Sequence, residues 1–148
     1  MRTSGLEEFS AAANFFLEEW PAILKPWGFT RTAGLIHGTL LIHPTPLTAD
    51  EILASTGASR GGVSTQLNIL HQAGLIERMR ILGERQERFT PIRDGRMIRG
   101  ALLAHFEQQT LKPMKLLEHT LTAIAGKEDL SWLGALHDLG KNETYHPD

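Results

Sequence analysis

Apolar residues recur at helical spacing over most of the chain, and two short stretches near its middle carry the pattern of strands. The predicted helices cover, in chain order, residues 6–25, 31–42, 48–56, 59–73, 94–126 and 130–140. The predicted strands are residues 75–81 and 87–91, separated by a short polar turn. The expected fold is therefore mainly α (α+β), with Pro21 and Pro113 kinking or interrupting the first and the longest helix.

The stretch over residues 59–73 has one apolar stripe and one polar face. Val63, Leu67 and Leu70 recur at i, i+4 and i+7, which places them on one side of a helix. Ser59 is expected to cap the N-terminus of this helix, and Gly74 to end it. The neighbouring face carries side chains that can hydrogen-bond to base edges and phosphates, namely Arg60, Ser64, Thr65 and Asn68.

A second short helix directly upstream completes a helix-turn-helix. Thr48 and Glu51 have the spacing of a T-x-x-E capping box, and Gly57 falls in the tight turn between the two helices. The hairpin that follows residue 74 would form a wing. Together these elements predict a winged helix, with a recognition helix over residues 59–73 and a wing tip over residues 82–87.

Residues 31–91 resemble the DNA-binding domain of MarR-type winged-helix regulators, and within them are most similar to the GbsR-like branch. The residues that carry the resemblance are Gly34, Ile36, His37, Gly38, Leu40, Leu41, Leu47, Thr48, Glu51, Ile52, Ser59, Arg60, Gly61, Val63, Ser64, Leu67, Gly74, Leu75, Ile76, Gly83, Glu84 and Arg85. The resemblance implies a homodimeric, sequence-specific transcriptional regulator of double-stranded DNA, with the recognition helix in the major groove and the wing in the minor groove. It also implies a division into an N-terminal dimerisation helix, a winged domain and C-terminal dimerisation helices, over residues 1–30, 31–92 and 93–148.

The polar pattern and the resemblance together select the candidate DNA contacts. These are Ser59, Arg60, Gly61, Gly62, Ser64, Thr65, Asn68, Arg78, Arg80, Arg85 and Arg88. Arg85 has the position where MarR-type proteins place an arginine that enters the minor groove. The alternative for the wing is a solvated hairpin held by ion pairs such as that between Glu87 and Arg78. Gly61 and Gly62 fit either close packing against the preceding helix or a bare helix N-terminus that approaches DNA.

The resemblance also implies a repressor tuned by a small effector, which in GbsR-like relatives is a choline-type osmolyte. A quaternary ammonium group requires an aromatic cage. The rings that could supply an effector pocket are Trp20, Trp27, Phe29 and Trp132. The competing interpretation is that these rings pack within the protein. The apolar side of the first helix leaves a similar choice between an intramolecular core and a dimer interface.

The overall charge does not favour a nucleic-acid partner, and its distribution softens that objection without removing it. The formal net charge is −2, whereas residues 59–91 contain five arginines and three glutamates, a local charge of +2. No signal peptide or stretch long enough to span a membrane is present, so we expect a cytoplasmic protein without membrane contact. The absence of cysteine agrees with that expectation and excludes disulfides.

No arrangement of residues predicts catalysis, a cofactor or a metal site. The seven histidines are scattered without ligand spacing, and His137, Asp138 and His146 are the nearest approach to a metal-sensing cluster. We therefore expect a protein that is not an enzyme. The alternative to DNA binding is a winged-helix module for protein–protein contact and assembly.

Overall fold

The structure is a computed structural model that describes residues 2–125, with side chains from residue 10 to residue 124. The chain divides into two compact units, Met1–His105 and Phe106–Asp148, which are described separately. The predicted helix over residues 130–140 lies outside the described residues. The same holds for candidate residues Trp132, His137, Asp138 and His146.

The first unit combines helices with a small sheet. Its elements are α1 (Arg2–Leu24), a 3₁₀ turn (Lys25–Trp27), α2 (Arg31–Ile42), β1 (Leu47–Thr48), α3 (Ala49–Thr56), α4 (Arg60–Gln72), β2 (Ile76–Met79), β3 (Arg88–Pro91) and α5 (Gly95–Phe106). The second unit contains a π-helical turn (Glu107–Leu111) and α6 (Lys112–Ala125). The predicted mainly α fold with a winged helix-turn-helix is confirmed.

The core of the first unit lies between α2, the helix-turn-helix and the inner side of the sheet. The predicted stripe of α4, formed by Val63, Leu67 and Leu70, is fully buried. The other buried apolar residues are Leu24, Phe29, Ala33, Ile36, Leu40, Leu47, Ile52, Leu75, Ile76 and Phe89. Burial of this stripe leaves the polar side of α4 on the surface.

The sheet is antiparallel and has the strand order β1-β3-β2. Its register pairs Leu47 with Phe89 and Ile76 with Pro91. Both predicted strands exist but are shorter than expected, and β1 was not predicted. A strand of two residues is too short to show alternation, and here it is formed by the segment that leads into the capping box.

Helices α1 and α2 pack closely because α2 carries glycines on the contact face. A Cβ atom on Gly34 would lie 2.6 Å from Cα of Pro21, and one on Gly38 would lie 3.2 Å from the Leu17 side chain. The expected close approach at these glycines is confirmed. Of the kink or break expected near Pro21, the break is wrong, because α1 continues to Leu24 and Pro21 packs against the backbone of Gly34.

The tract predicted as one helix over residues 94–126 contains a π-helical turn. In that turn the N–H of Lys112 bonds to the carbonyl oxygen of Glu107, five residues earlier. Pro113 follows as the second residue of α6, where its missing N–H costs little. The tract is therefore irregular just before the proline, and the expected kink at Pro113 stays a prediction.

Candidate nucleic-acid interface

The N-terminus of α4 is capped by Ser59, and Gly61 leaves its first turn partly without side chains. Ser59 Oγ accepts a hydrogen bond from the N–H of Gly62 over 3.0 Å, which confirms the predicted cap. A Cβ atom on Gly61 would meet no other atom of the described residues within 4 Å. Close packing therefore does not explain Gly61, and a larger residue would only fill open space in front of the helix. The exposed residues beside the glycines are Arg60, Ser64, Thr65 and Asn68.

An acidic residue that was not among the candidates links three elements of this surface. Asp50, in the first turn of α3, accepts hydrogen bonds from Arg60 Nη1 at 3.3 Å and from Gln86 Nε2 at 2.7 Å. Its carboxylate thus joins α3 to the start of α4 and to the wing. No local pattern predicts this link, because Asp50 lies ten and 36 residues from its partners.

Arg78 connects α4 to the wing. Its Nη2 donates to Oδ1 of Asn68, its Nη1 lies 3.8 Å from Oε2 of Glu87, and its guanidinium carbon lies 5.9 Å from the centre of the Phe89 ring. Arg80 Nε approaches the other oxygen of Glu87 at 3.6 Å. The ion pair considered as an alternative explanation of the hairpin is therefore present. It coexists with a contact between two candidate residues of the recognition surface, Asn68 and Arg78.

A cleft of about 280 Å³ separates α3 and α4 from the wing. Its walls mix carboxylates, a guanidinium and polar side chains over an apolar floor. The lining residues are Ala49, Asp50, Ser64, Leu67, Asn68, Arg78, Gln86, Glu87 and Phe89. The structure therefore brings together candidate residues from the recognition helix and the wing base on one concave surface.

Arg88 is held at the base of the wing. Its Nε donates to Oε2 of Glu84 at 2.7 Å, and its Nη1 donates to the carbonyl oxygen of Pro46 at 3.1 Å and lies 3.6 Å from Glu51. The hydrogen bond from the Arg88 side chain to Glu84 raises the pKa of Arg88. These partners hold the guanidinium within the fold.

Arg85 is exposed at the wing tip and has no hydrogen bond or ion pair within residues 2–125. The tip is a tight turn in which the N–H of Glu84 donates to the carbonyl oxygen of Ile81 at 3.0 Å. Gly83 in this turn has φ +88°, a conformation that favours glycine. The turn therefore presents Arg85 to solvent from a defined backbone.

The rings proposed for an effector pocket have packing partners. The Trp20 indole stacks on Phe16, with ring centres 5.3 Å apart, and donates its N–H to Nδ1 of His37 at 3.0 Å. Phe29 is buried and stacks on His105 at 4.0 Å. Trp27 is half-buried against the core. These contacts agree with the packing interpretation, and the effector pocket stays a prediction.

His37 is fully buried, and desolvation lowers its pKa from 6.5 to about 4. Because Nδ1 accepts from Trp20, the proton of the neutral ring is assigned to Nε2. Nε2 has no hydrogen-bond partner among the residues described. His37 is one of the residues that carry the resemblance, and it lies inside the protein, between α1 and α2.

Arg93 is a second residue that the sequence did not single out. It donates to the carbonyl oxygens of Leu41 at 2.8 Å, Leu40 at 3.3 Å and His43 at 2.8 Å, at the C-terminal end of α2. A cation at this end satisfies carbonyl groups that have no helical partner. Arg93 therefore fixes the segment after β3 to α2, and with it the position of the wing.

Residues 2–125 contain neither a metal-binding cluster nor a membrane-spanning helix. No group of three or more histidine, cysteine, aspartate or glutamate side chains is placed to hold a metal ion. No helix in this part of the chain is long and apolar enough to cross a membrane.

The helix-turn-helix is similar to known bacterial regulators. Residues 40–78 match the model of the family described as bacterial regulatory protein, arsR family. The chain is also 32% identical over 88 residues to the HTH-type transcriptional regulator MmpR5 of Mycobacterium tuberculosis, a match that includes 57% of this chain and 53% of that protein. The chain therefore spans about half the length of the curated relative that it matches.

The fold is similar to that of a transcriptional regulator of known crystal structure, with a TM-score of 0.56 and 25% identity over 88% of this chain and 86% of that one. A lower TM-score of 0.45 and 22% identity relate it to a MarR family transcription regulator, over 95% and 96% of the two chains. The predicted resemblance to winged helix-turn-helix transcriptional regulators, which are not enzymes, is confirmed. The assignment to the GbsR-like branch stays a prediction.

Proposed function

We propose that this winged helix-turn-helix protein is a transcriptional regulator that binds double-stranded DNA sequence-specifically as a homodimer. The observation that carries the proposal is the exposed polar face of α4, which lies opposite its buried stripe. Ser64, Thr65 and Asn68 on this face are short enough to leave the helix surface open and polar enough to hydrogen-bond to base edges. A helix with this surface fits the major groove.

The two ends of this surface suit different parts of DNA. The N-terminus of α4 suits a phosphate, and the wing tip suits the minor groove. The bare N-terminus of α4 at Gly61 offers backbone N–H groups and the positive end of the helix dipole. Arg85 at the wing tip, which has no partner within residues 2–125, suits the minor groove, where the negative potential attracts arginine. Arg88 is then a residue that supports the wing, because its donors are already directed at Glu84, Glu51 and Pro46.

The proposed homodimer is supported by apolar surface on α6. Leu116, Leu117 and Ile124 are 67%, 67% and 79% exposed, and Leu121 is 37% exposed. Apolar patches of this kind on a soluble chain mark surfaces that meet a partner. A second copy would cover them and would bring two recognition helices to one DNA duplex.

The simplest regulatory role for such a protein is that of a repressor, which acts by occupying its operator. A small effector would act by changing the distance between the two recognition helices. The rings proposed to contribute to an effector site in the first unit are those of Trp20, Trp27 and Phe29. Failure of this effector site would leave the DNA-binding proposal intact, since no DNA contact depends on these rings.

Selection of bound fragments from a random duplex library tests the proposed function. We expect the protein to recover an inverted repeat, and Ser64→Ala or Asn68→Ala to reduce the preference for that sequence by about 1–3 kcal/mol where a base contact is lost. Arg85→Ala should weaken binding to all sequences and make its dependence on salt shallower. A module for protein–protein contact would recover no common sequence and would show no salt-dependent retention on random DNA.

A further inference from the structure

The wing tip combines a fixed backbone with an unburied apolar side chain. The hydrogen bond from Glu84 N–H to the carbonyl oxygen of Ile81 and the positive φ of Gly83 fit a type II turn. Leu82 then occupies the first corner of that turn, and it is 103% exposed. The fold of the described chain gains no burial from this leucine, which stands exposed in the turn of the wing.

The wing tip is positively charged because the carboxylate of Glu84 points away from it. Glu84 Oε2 accepts from Arg88 Nε at 2.7 Å, which turns the acidic group back toward the base of the wing. Arg85, in contrast, is exposed and has no partner within residues 2–125. The side chains at the tip that can lead into a negatively charged groove are therefore an arginine and a leucine.

We propose that Leu82 enters the minor groove beside Arg85 and acts as an apolar wedge that partly unstacks one base step in each half-site. The inference rests on the proposed function, because it requires the wing to lie on DNA. Minor-groove proteins insert leucine and similar side chains between base pairs, and the inserted residue kinks the duplex. Pyrimidine–purine steps unstack most easily, so Leu82 selects such a step without a hydrogen bond to any base.

The test uses the full chain and a duplex that carries the sequence recovered by the wild-type protein from a random library. A 2-aminopurine base at the flanking minor-groove step reports unstacking by an increase in fluorescence. We expect the wild-type protein to produce this increase. Leu82→Ala should remove it and weaken binding about tenfold at a pyrimidine–purine step. Leu82→Met, which keeps a long apolar side chain, is the matched control and should retain both.

Arg85→Ala distinguishes the effect of the Leu82 wedge from the effect of the neighbouring charge. At saturating protein this variant should still unstack the step, although its affinity and salt dependence are reduced. Leu82→Ala with wild-type affinity, or fluorescence that does not depend on residue 82, overturns the wedge while DNA binding stands. A wild-type protein that recovers no sequence overturns the proposed function itself. Loss of regulation by Leu82→Ala with unchanged binding and unstacking would assign the leucine to a protein partner and also overturn the inference.

Discussion

Trp20 donates its indole N–H to Nδ1 of His37 over 3.0 Å, and this bond joins α1 to the buried side of α2. The bond requires a neutral imidazole, because a protonated ring has no acceptor. Burial already disfavours the charged form and lowers the pKa of His37 to about 4. One of the contacts that hold α1 to α2 is therefore sensitive to acid.

The first prediction concerns the dependence of stability on pH. His37 takes up a proton at pH 6.5 in the unfolded chain and only near pH 4 in the folded one. Its contribution is fully present above pH 6.5 and is lost as the pH falls toward 4, which amounts to about 3 kcal/mol. Urea unfolding of the wild-type protein across this range should show the loss.

His37→Gln keeps an acceptor for the indole but has no group that titrates in this range. The difference in unfolding free energy between this variant and the wild-type protein should therefore change with pH between 4 and 6.5. His71→Gln makes the same substitution at an exposed position and is the matched control. Parallel profiles for His37→Gln and the wild-type protein would contradict the assignment.

The second prediction contrasts two glycines. Gly61→Ala adds a methyl group in open space and should stabilise α4 by up to about 1 kcal/mol, because alanine is the better helix former. The same methyl group should weaken DNA binding, since it stands where the helix N-terminus would approach a phosphate. Thermal unfolding and titration with the selected duplex measure the two effects separately.

Gly34→Ala should behave in the opposite way. Its new Cβ atom would lie 2.6 Å from Cα of Pro21, so α1 and α2 must separate, at a cost of about 1–3 kcal/mol. DNA affinity measured well below the unfolding temperature should change little. Equal DNA affinity for Gly61→Ala and the wild-type protein would mean that Gly61 is not needed at the DNA surface.

The sequence predicted those parts of the site that depend on neighbouring residues. Ser59 and Thr48 accept the expected capping bonds, and Gly74 has φ +82° at the end of α4. Each of these features needs only a few consecutive residues, whose spacing the sequence displays directly. The helix boundaries and the exposed face of α4 follow from them.

The links between elements could not be predicted in this way. Arg93 contacts the end of α2 from about 50 residues away, and Gln86 reaches Asp50 across 36 residues. Such contacts depend on how the wing folds back over the helices, and local pattern contains no information about that. The engagement of Arg88 by Glu84 and Glu51 was missed for the same reason, although the i, i+4 spacing of Glu84 and Arg88 was visible.

The third prediction concerns Asp50, whose carboxylate holds Arg60 and Gln86 in the absence of DNA. Asp50→Asn should raise DNA affinity several-fold, because it removes a negative charge from the proposed interface and releases Arg60 for a phosphate. One additional phosphate contact would steepen the slope of log affinity against log salt by about 0.9. The exposed ion pair itself contributes little to stability, so unfolding should change by less than about 1 kcal/mol.

Glu19→Gln, an exposed substitution on α1 that removes the same charge, is the control for a general effect of net charge. If both variants raise affinity equally, the gain does not come from Asp50 in the recognition surface. If Asp50→Asn lowers DNA affinity, the carboxylate positions Arg60 and Gln86 for binding. The proposal that its negative charge weakens DNA binding would then be wrong.

The last prediction joins the dimer to the operator. A two-fold dimer would place its two α4 helices in major grooves on one face of the duplex, which recur every 34–36 Å or about 10–10.5 base pairs. The operator should therefore be an imperfect inverted repeat with half-site centres about one turn apart, and with the wings reaching the flanking minor grooves. Light scattering should give a particle of twice the 16.4 kDa chain mass.

Spacer variants of that operator test whether the two recognition helices are rigidly coupled. Insertion of about five base pairs turns one half-site to the opposite face of the duplex and should abolish tight binding. Insertion of a full turn restores the face but increases the separation by about 34 Å, which a packed helical interface cannot follow. Footprinting should therefore show full protection only at the original spacing. Equal protection at all three spacings, or a monomeric particle in light scattering, would mean that each winged domain binds independently.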